Sequence, residues 1–235
     1  MSEQPLVNII VPFYNAGPYL AQCLCSLTNQ TYHNIAILLV DDGSTDDSLR
    51  IANAFVEADK RIKLFTQPNR GQSAARNTAL QHVQEGYICF VDADDWLDSV
   101  FLERSLNAPQ ADIIQSGYRR ITDNGTIIEQ KLPRHSYQFT VPWGRLYRSH
   151  LLKNVRFPEG MIYEDVIFSL NLWAKHPKQI IIPYIGYNYR LNPLSTTSRI
   201  DKQAQQKLYT TIWDTKAPLW LKLFTILRLK FHFRK

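Results

Sequence analysis

The chain has 235 residues, 45% of them hydrophobic and 12% aromatic, which is enough apolar material for one large or two small lobes and rules out a disordered protein. Its formal net charge of +6 is localised: Lys216, Lys222, Arg228, Lys230, Arg234 and Lys235 fall within residues 216–235 with no acid, and the rest of the chain is neutral overall. A nucleic-acid binder spreads its bases over a folded face, so no nucleic-acid partner is expected.

In chain order, MSEQPLVNIIVPFYN has no basic region before its apolar run and reads as a first strand over residues 7–13 rather than a signal peptide. Apolar runs at 35–40, 62–65 and 87–91 predict three more strands. Helical patterns alternate with them at 19–27, where Leu20, Cys23, Leu24 and Leu27 share a face, at 48–58 and at 73–83. This order implies an α/β fold with a mostly parallel central sheet flanked by helices, whose ligands bind beyond the carboxyl ends of the strands. The pair Asn124-Gly125 predicts a tight hairpin. Cys23, Cys25 and Cys89 form no disulfide framework and no metal-ligand spacing, which points to a reducing, cytoplasmic setting. No run of eighteen uncharged apolar residues is present to span a membrane.

Carboxylates concentrate at the strand ends. In LLVDDGSTDDSL, Gly43 makes a turn and residues 44–48 are expected to cap the next helix, which leaves Asp41 and Asp42 to accept hydrogen bonds from a base N–H or a ribose hydroxyl. In YICFVDADDWLDS, Asp98 is the expected cap of a helix beginning near Ser99. Side chains alternate along an extended segment, so Asp92 and Asp94 project to one side at a spacing that Mg2+ or Mn2+ can bridge, with water and substrate phosphates completing the shell. Further on, Glu164 and Asp165 open a helical pattern carried by Val166, Ile167, Leu170 and Trp173. Acids there are favoured by the helix dipole, and a desolvated aspartate there has the pKa range of a general base.

Taken in order, IIVPFYNAGPYLAQCLCSL, LLVDDGSTDDS, GQSAARNTAL, FVDADDWL and YEDVIF resemble the bacterial family 2 glycosyltransferases of the GT-A fold, over about residues 6–200. The resemblance implies a nucleotide-sugar-binding half at 1–110, an acceptor-binding half at 111–215, a divalent cation (Mn2+ or Mg2+) and inversion at the anomeric carbon. Carried over by motif, Pro12, Tyr14 and Asn15 line the base and ribose, Asp42 binds the base, and Arg76 lies near the nucleotide. Asp92 faces the sugar nucleotide, and Asp94, with Asp95, faces the metal. Asp165 is the base that deprotonates the acceptor hydroxyl. The pattern departs at Ala36, where the family often has Glu.

VPWGRLYRS and YNYRLNPLSTTS match the second half in outline and offer Trp143, Arg145, Glu164, Arg190 and Ser195 as acceptor or phosphate contacts. The expected reaction moves a sugar, most often from a UDP-sugar among relatives, to a glycan or lipid-linked acceptor in bacterial surface polysaccharide or lipopolysaccharide synthesis. A non-catalytic binding protein on the same fold would need no such intact acids. A sugar nucleotidyltransferase would carry a Gly-rich basic phosphate loop after the first strand, which VPFYNAGPYL lacks. The tail, residues 216–235, places Leu219, Trp220, Leu223, Phe224 and Leu227 at helical spacing until the pattern turns to alternation after Arg228. It is expected either to lie on the anionic inner face of the cell membrane or to pack on the body of the protein.

Overall fold

A computed structural model describes residues 4–135, 137–138, 140–191 and 202–232 of the chain. Strands β1 (Val7–Phe13), β2 (Ile35–Asp41), β3 (Ile62–Thr66) and β4 (Tyr87–Phe90) lie in the order 3-2-1-4, all neighbours parallel. Every residue of β1 is buried, as a parallel strand covered on both faces requires, and this explains the unbroken apolar run VNIIVPF. The buried Asn8 within it is satisfied: its Nδ2 donates to the carbonyls of Gln84 and Tyr87, and its Oδ1 accepts from the Gln84 N–H.

Helices α1 (Gly17–Thr28), α2 (Ser48–Ala58) and α3 (Gln72–Leu80) connect these strands. Pro18 stands in the first turn of α1, where its missing N–H has no cost. Its buried face is Leu20, Cys23, Leu24 and Leu27, the four residues the sequence periodicity selects. The start of α2 differs from expectation in detail. No side chain caps it from the N-cap position; instead Asp46 takes the Ser48 N–H on Oδ1 and the Gly17 N–H on Oδ2, tying the starts of α1 and α2 together. Gly43 holds φ at 78° in this turn, and a Cβ there would stand 2.9 Å from the Asn69 nitrogen, so a side chain is excluded twice over.

The second half continues the same sheet with different pairing. Elements β5 (Trp96–Leu97), α4 (Phe101–Leu106), β6 (Ile113–Ile121), β7 (Ile127–Lys131), β8 (Arg145–Arg148), α5 (Glu164–Trp173) and β9 (Gln179–Arg190) follow. The order runs on as β4-β8-β6-β9-β5, with β7 on β6. Strand β8 is antiparallel to β4 and β6, β7 to β6, and β5 to β9, while β9 is parallel to β6. The sheet is therefore parallel in its first half and mixed in its second. The β6–β7 connection is the hairpin expected at Asn124-Gly125, closed by the Thr122 N–H on the Thr126 carbonyl. Asp98 does not cap α4, which begins at Phe101; its carboxylate instead takes Arg119 at 2.9 Å, Asn188 at 2.9 Å and Tyr184 at 3.2 Å.

Hydrophobic clusters cover both faces of the sheet, one around Ile9, Leu24 and Phe101 and the other around Ile10, Phe90 and Phe168. A third joins α5 to α6 (Lys202–Asp214) and α7 (Leu219–His232) through Trp173, Leu208, Ile212 and Leu221. The tail is thus a helix that continues past Arg228 and packs on the body by one side, with Leu221 and Thr225 buried. Its other side leaves Leu219, Trp220, Leu223, Phe224 and Leu227 exposed. No described helix is long and apolar enough to cross a membrane.

Candidate active site

A cleft of about 1490 Å³ opens beyond the carboxyl ends of β1, β2 and β4 and is closed on its far side by β6, β7, the start of α5 and the last two helices. Its wall carries Pro12, Tyr14, Asn15, Asp42, Arg76, Asp92 and Asp94 from the first half, and Trp143, Glu164 and Asp165 from the second. The volume exceeds the 300–1,000 Å³ typical of a small-ligand pocket and has room for two substrates.

The donor side begins with Tyr14, half exposed at 49%, and Asn15, whose φ of 48° turns the chain into the cleft. Asn15 is held there by the Thr45 N–H on its Oδ1 and by its own N–H on Ser44 Oγ. Asp42 has a structural task as well as a place on the wall. Its Oδ1 accepts from the Arg70 N–H at 2.9 Å and Gln67 Nε2 at 2.7 Å, and its Oδ2 from the Gly71 N–H at 2.7 Å, which fixes the loop entering α3. Asp41 takes the Ser44 N–H within its own turn and does not line the cleft.

Helix α3 explains the pattern GQSAARNTAL. Its alanines 74, 75 and 79 are buried, which lets it lie close to β1 and β2, and Arg76 and Asn77 project to the second half. Asn77 donates to the Phe157 carbonyl and accepts from the Phe157 N–H, both at 2.9 Å. Arg76, only 2% exposed, donates to Asp92 Oδ1 at 2.7 Å and to Glu164 Oε1 at 3.1 Å while its guanidinium lies 5.0 Å from the Phe157 ring centre. One buried cation thus spans the carboxylates of the two halves.

Within the DADD loop the four residues divide. Asp92 and Asp94 face the cleft, Asp92 also taking Gln72 Nε2 at 3.1 Å. Asp95, expected beside the metal, is 1% exposed and turned inward: its Oδ2 accepts from the Tyr187 hydroxyl at 2.6 Å and its Oδ1 from the Arg190 N–H at 2.8 Å. Burial, then the neighbouring Asp92 and Asp94 charges, push its carboxyl well above the usual carboxylate range. Asp95 is therefore an internal strut of the loop, not a wall ligand. Arg190 and Arg145, expected as acceptor or phosphate contacts, do not line the cleft either. Arg190 lies under the loop, its Nε on the Asp94 carbonyl at 2.9 Å and its Nη1 on Asp123 at 3.2 Å. Arg145 is 1% exposed, with Nη1 on the Val141 carbonyl at 2.9 Å. Trp143 does reach the cleft, stacked on Tyr187 at 4.6 Å and Tyr189 at 5.4 Å. Ser195 lies outside the described residues.

Asp165 sits half-buried at the start of α5, its Oδ2 accepting from Thr140 Oγ1 at 2.9 Å. The preceding Tyr163 adopts φ 66°, a left-handed turn that delivers both acids to the cleft. Burial raises the Asp165 carboxyl above its ordinary range, opposed by Thr140 and then Arg76, and burial also raises Glu164 against the pull of Arg76. Both shifts make better proton acceptors than aspartate or glutamate in water. Neither Thr140 nor Arg228, which reaches the cleft from α7, carries a sequence signal that marks it as a site residue. Gln72 stands in the quoted GQSAARN pattern without a separate signal.

Among the described residues no group of three or more His, Cys, Asp or Glu side chains is arranged to hold a metal ion. The hard oxygens available on the wall, Asp94 with Asp92, fit a cation that keeps water and draws its other ligands from substrate phosphates rather than one in a preformed cage.

The sequence pattern of Glycosyl transferase family 2 matches residues 8–165, which spans β1 through the Asp165 at the start of α5. The chain belongs to this family. Over 211 residues it is 35% identical to the glycosyltransferase GlyA of Streptococcus pneumoniae, covering 79% of this chain and 30% of that protein. It is 33% identical over 237 residues to the uncharacterized glycosyltransferase EpsJ of Bacillus subtilis, covering 87% and 69%. The fold is shared with solved structures: Staphylococcus aureus TarS 1-349 in complex with UDP-GlcNAc superposes with a TM-score of 0.73 at 20% identity, over 92% of this chain and 69% of that one. The Pyrobaculum calidifontis mannosyltransferase PcManGT, in complex with GDP-Man and Mn2+, gives 0.69 at 21% identity, over 92% and 67%. The α/β sheet with its cleft beyond β1, β2 and β4 is thus a GT-A fold.

Proposed function

We propose that the chain is an inverting glycosyltransferase that moves a sugar from a nucleotide-sugar donor, a UDP-sugar by preference, to a hydroxyl of a surface-glycan or lipid-linked acceptor. The observation that carries this reading is the single cleft in which Asp92 and Asp94 of the first half face Asp165 of the second, locked across by Arg76. Pro12, Tyr14, Asn15 and the Asp42-braced loop hold the nucleotide. The complexes of TarS with UDP-GlcNAc and of PcManGT with GDP-Man support a nucleotide sugar in a fold of this kind.

Asp165 accepts the proton of the acceptor hydroxyl, held in position by Thr140, and the oxygen so activated attacks C1 of the donor sugar from the face opposite the diphosphate. The C1–O bond to the diphosphate breaks with inversion. Arg76 holds the Asp92 and Glu164 carboxylates fixed around the reacting sugar. A Mg2+ or Mn2+ held at Asp94 with Asp92 would neutralise charge on the leaving diphosphate; the Mn2+ in the PcManGT complex supports a cation here.

The exposed apolar side of α7, in a basic segment with no acid, fits the anionic cytoplasmic face of a membrane, where lipid-linked acceptors are presented. Each base near such a surface adds on the order of 1 kcal/mol, and Trp220 is suited to the headgroup region. Donor hydrolysis and transfer assays over a panel of nucleotide sugars test the central reading. Release of a nucleoside diphosphate from one or two donors, lost in Asp165→Asn when acceptor is present, is the expected result; no turnover and no nucleotide binding across the panel would leave a non-catalytic protein on this fold.

A further inference from the structure

Charge on the cleft wall is divided by position. Opposite Asp92 and Asp94, the wall carries Arg120 and Lys131 from the β6–β7 hairpin and Arg228 from α7, arranged around Tyr118. A single carboxylate, Glu129, stands between two of them, 3.3 Å from Arg120 Nη1 and 2.6 Å from Lys131 Nζ. Arg228 makes no ion pair with a described carboxylate; its Nη1 donates to the Tyr137 carbonyl at 3.3 Å. It is held partly out of water in the field of Arg145, which adds like charge, and of Asp165, which is too distant for an ion pair. Desolvation lowers its pKa and the field of Asp165 opposes that only in part, so holding this cation here has a cost that no ion pair within the described residues offsets.

Three cations drawn from β6, β7 and α7 onto one wall, with Glu129 the one carboxylate ion-paired to them among the described residues, are what an anionic ligand group would offset. The charged and ring groups around Arg228 are Asp165, Arg145, Tyr118 and Tyr137, all from the second half, so the anion in question belongs to the molecule that Asp165 deprotonates and not to the donor. We propose that Arg228, with Arg120 and Lys131, forms a subsite for an acidic group, a phosphate or a carboxylate, carried by the acceptor sugar near its reacting hydroxyl. This rests on the glycosyl-transfer reading of the cleft.

Calorimetric titration of the full chain, with and without UDP, tests the subsite using three probes of one sugar frame: glucose 6-phosphate, glucuronate and glucose. The charged probes are expected to bind at least about tenfold tighter than glucose, the worth of one charge-assisted hydrogen bond, and Arg228→Gln to remove that preference while UDP affinity changes less than about twofold. Lys131→Gln, at a 44% exposed side chain, is a second variant that leaves folding untouched and should reduce the preference in part. Equal binding of charged and neutral probes to the native chain, or a preference unchanged in both variants, overturns the subsite. Loss of UDP affinity in Arg228→Gln would assign the cation to the donor diphosphate and overturn it as well. Binding confined to phosphatidylglycerol vesicles and lost in Arg228→Gln would assign the anion to a lipid headgroup and overturn the sugar assignment. Failure of every nucleotide to bind, with the charged-probe preference intact, would strike the glycosyl-transfer reading and leave the anion site standing.

Discussion

Replacing Arg76 by methionine removes the buried cation that joins Asp92 of the first half to Glu164 of the second while keeping a long side chain against the Phe157 ring. Arg76 is 2% exposed and its partners Asp92 and Glu164 are 19% and 17% exposed at their side chains, so both carboxylates are left in a poorly solvated place. Removing one partner of a buried pair costs about 3–5 kcal/mol. With a urea slope of roughly 3 kcal/mol/M for a chain of this size, the midpoint should fall by about 1–1.7 M at pH 7. The sign with pH follows from the carboxyls. Burial raises Glu164 and Asp165, and Arg76 opposes both shifts. A carboxyl raised in the folded state contributes stability below its unfolded pKa, near 4, that is lost as pH rises through the folded value. Without Arg76 both groups rise further, so the gap between native and variant should be narrow near pH 4 and widest at neutral pH. Urea melts at pH 4, 5.5 and 7 measure it. A gap that is constant over this range, or a variant as stable as the native chain at pH 7, would refute the account of Arg76 as the bridge. Arg76→Lys should recover only part of the loss, since an ammonium does not present the two-armed fork that reaches both carboxylates.

Asp165→Asn should lower the transfer rate by about 10²–10⁴-fold while calorimetry shows nucleotide affinity unchanged, and the native acid limb of kcat/KM should lie above the ordinary aspartate value of about 3.9 because burial raises this carboxyl. Asp94→Ala should lose at least about tenfold in cation-supported turnover, with EDTA acting on the native enzyme alike, whereas Asp95→Asn should retain most activity and lower the thermal midpoint instead, since its carboxyl serves Tyr187 and Arg190 inside the loop. Leu223→Asp with Leu227→Asp, on the exposed side of α7, should abolish sedimentation with anionic vesicles at an unchanged melting temperature.

The first half of the fold was legible in the sequence because a parallel strand covered on both faces must be apolar throughout. The runs at β1, β2, β3 and β4 announce themselves, and the periodic helices between them admit few arrangements. Carboxylates at the ends of such strands stand out for the same reason, which is why Asp92 and Asp94 could be expected on the cleft side, while Asp165 stood out as an acid opening a helical pattern. The antiparallel joins of β8 to β4 and of β5 to β9, and the side of α7 that packs, depend on partners distant in sequence and leave no local period. What only the tertiary structure decided is which polar group faces which. Asp95 and Asp94 are adjacent aspartates, yet the turn at residues 93–94, closed by the Asp95 N–H on the Asp92 carbonyl, sends one to Tyr187 and the other to the cleft. Arg190 and Arg145 were expected as ligand contacts and are internal fasteners, while Arg228, in a tail that composition marks simply as basic, arrives in the field of Asp165. Sequence fixes the chemical character of a side chain, but the low dielectric, the charge partners and the direction that give it a role are set by chain segments up to a hundred residues or so away.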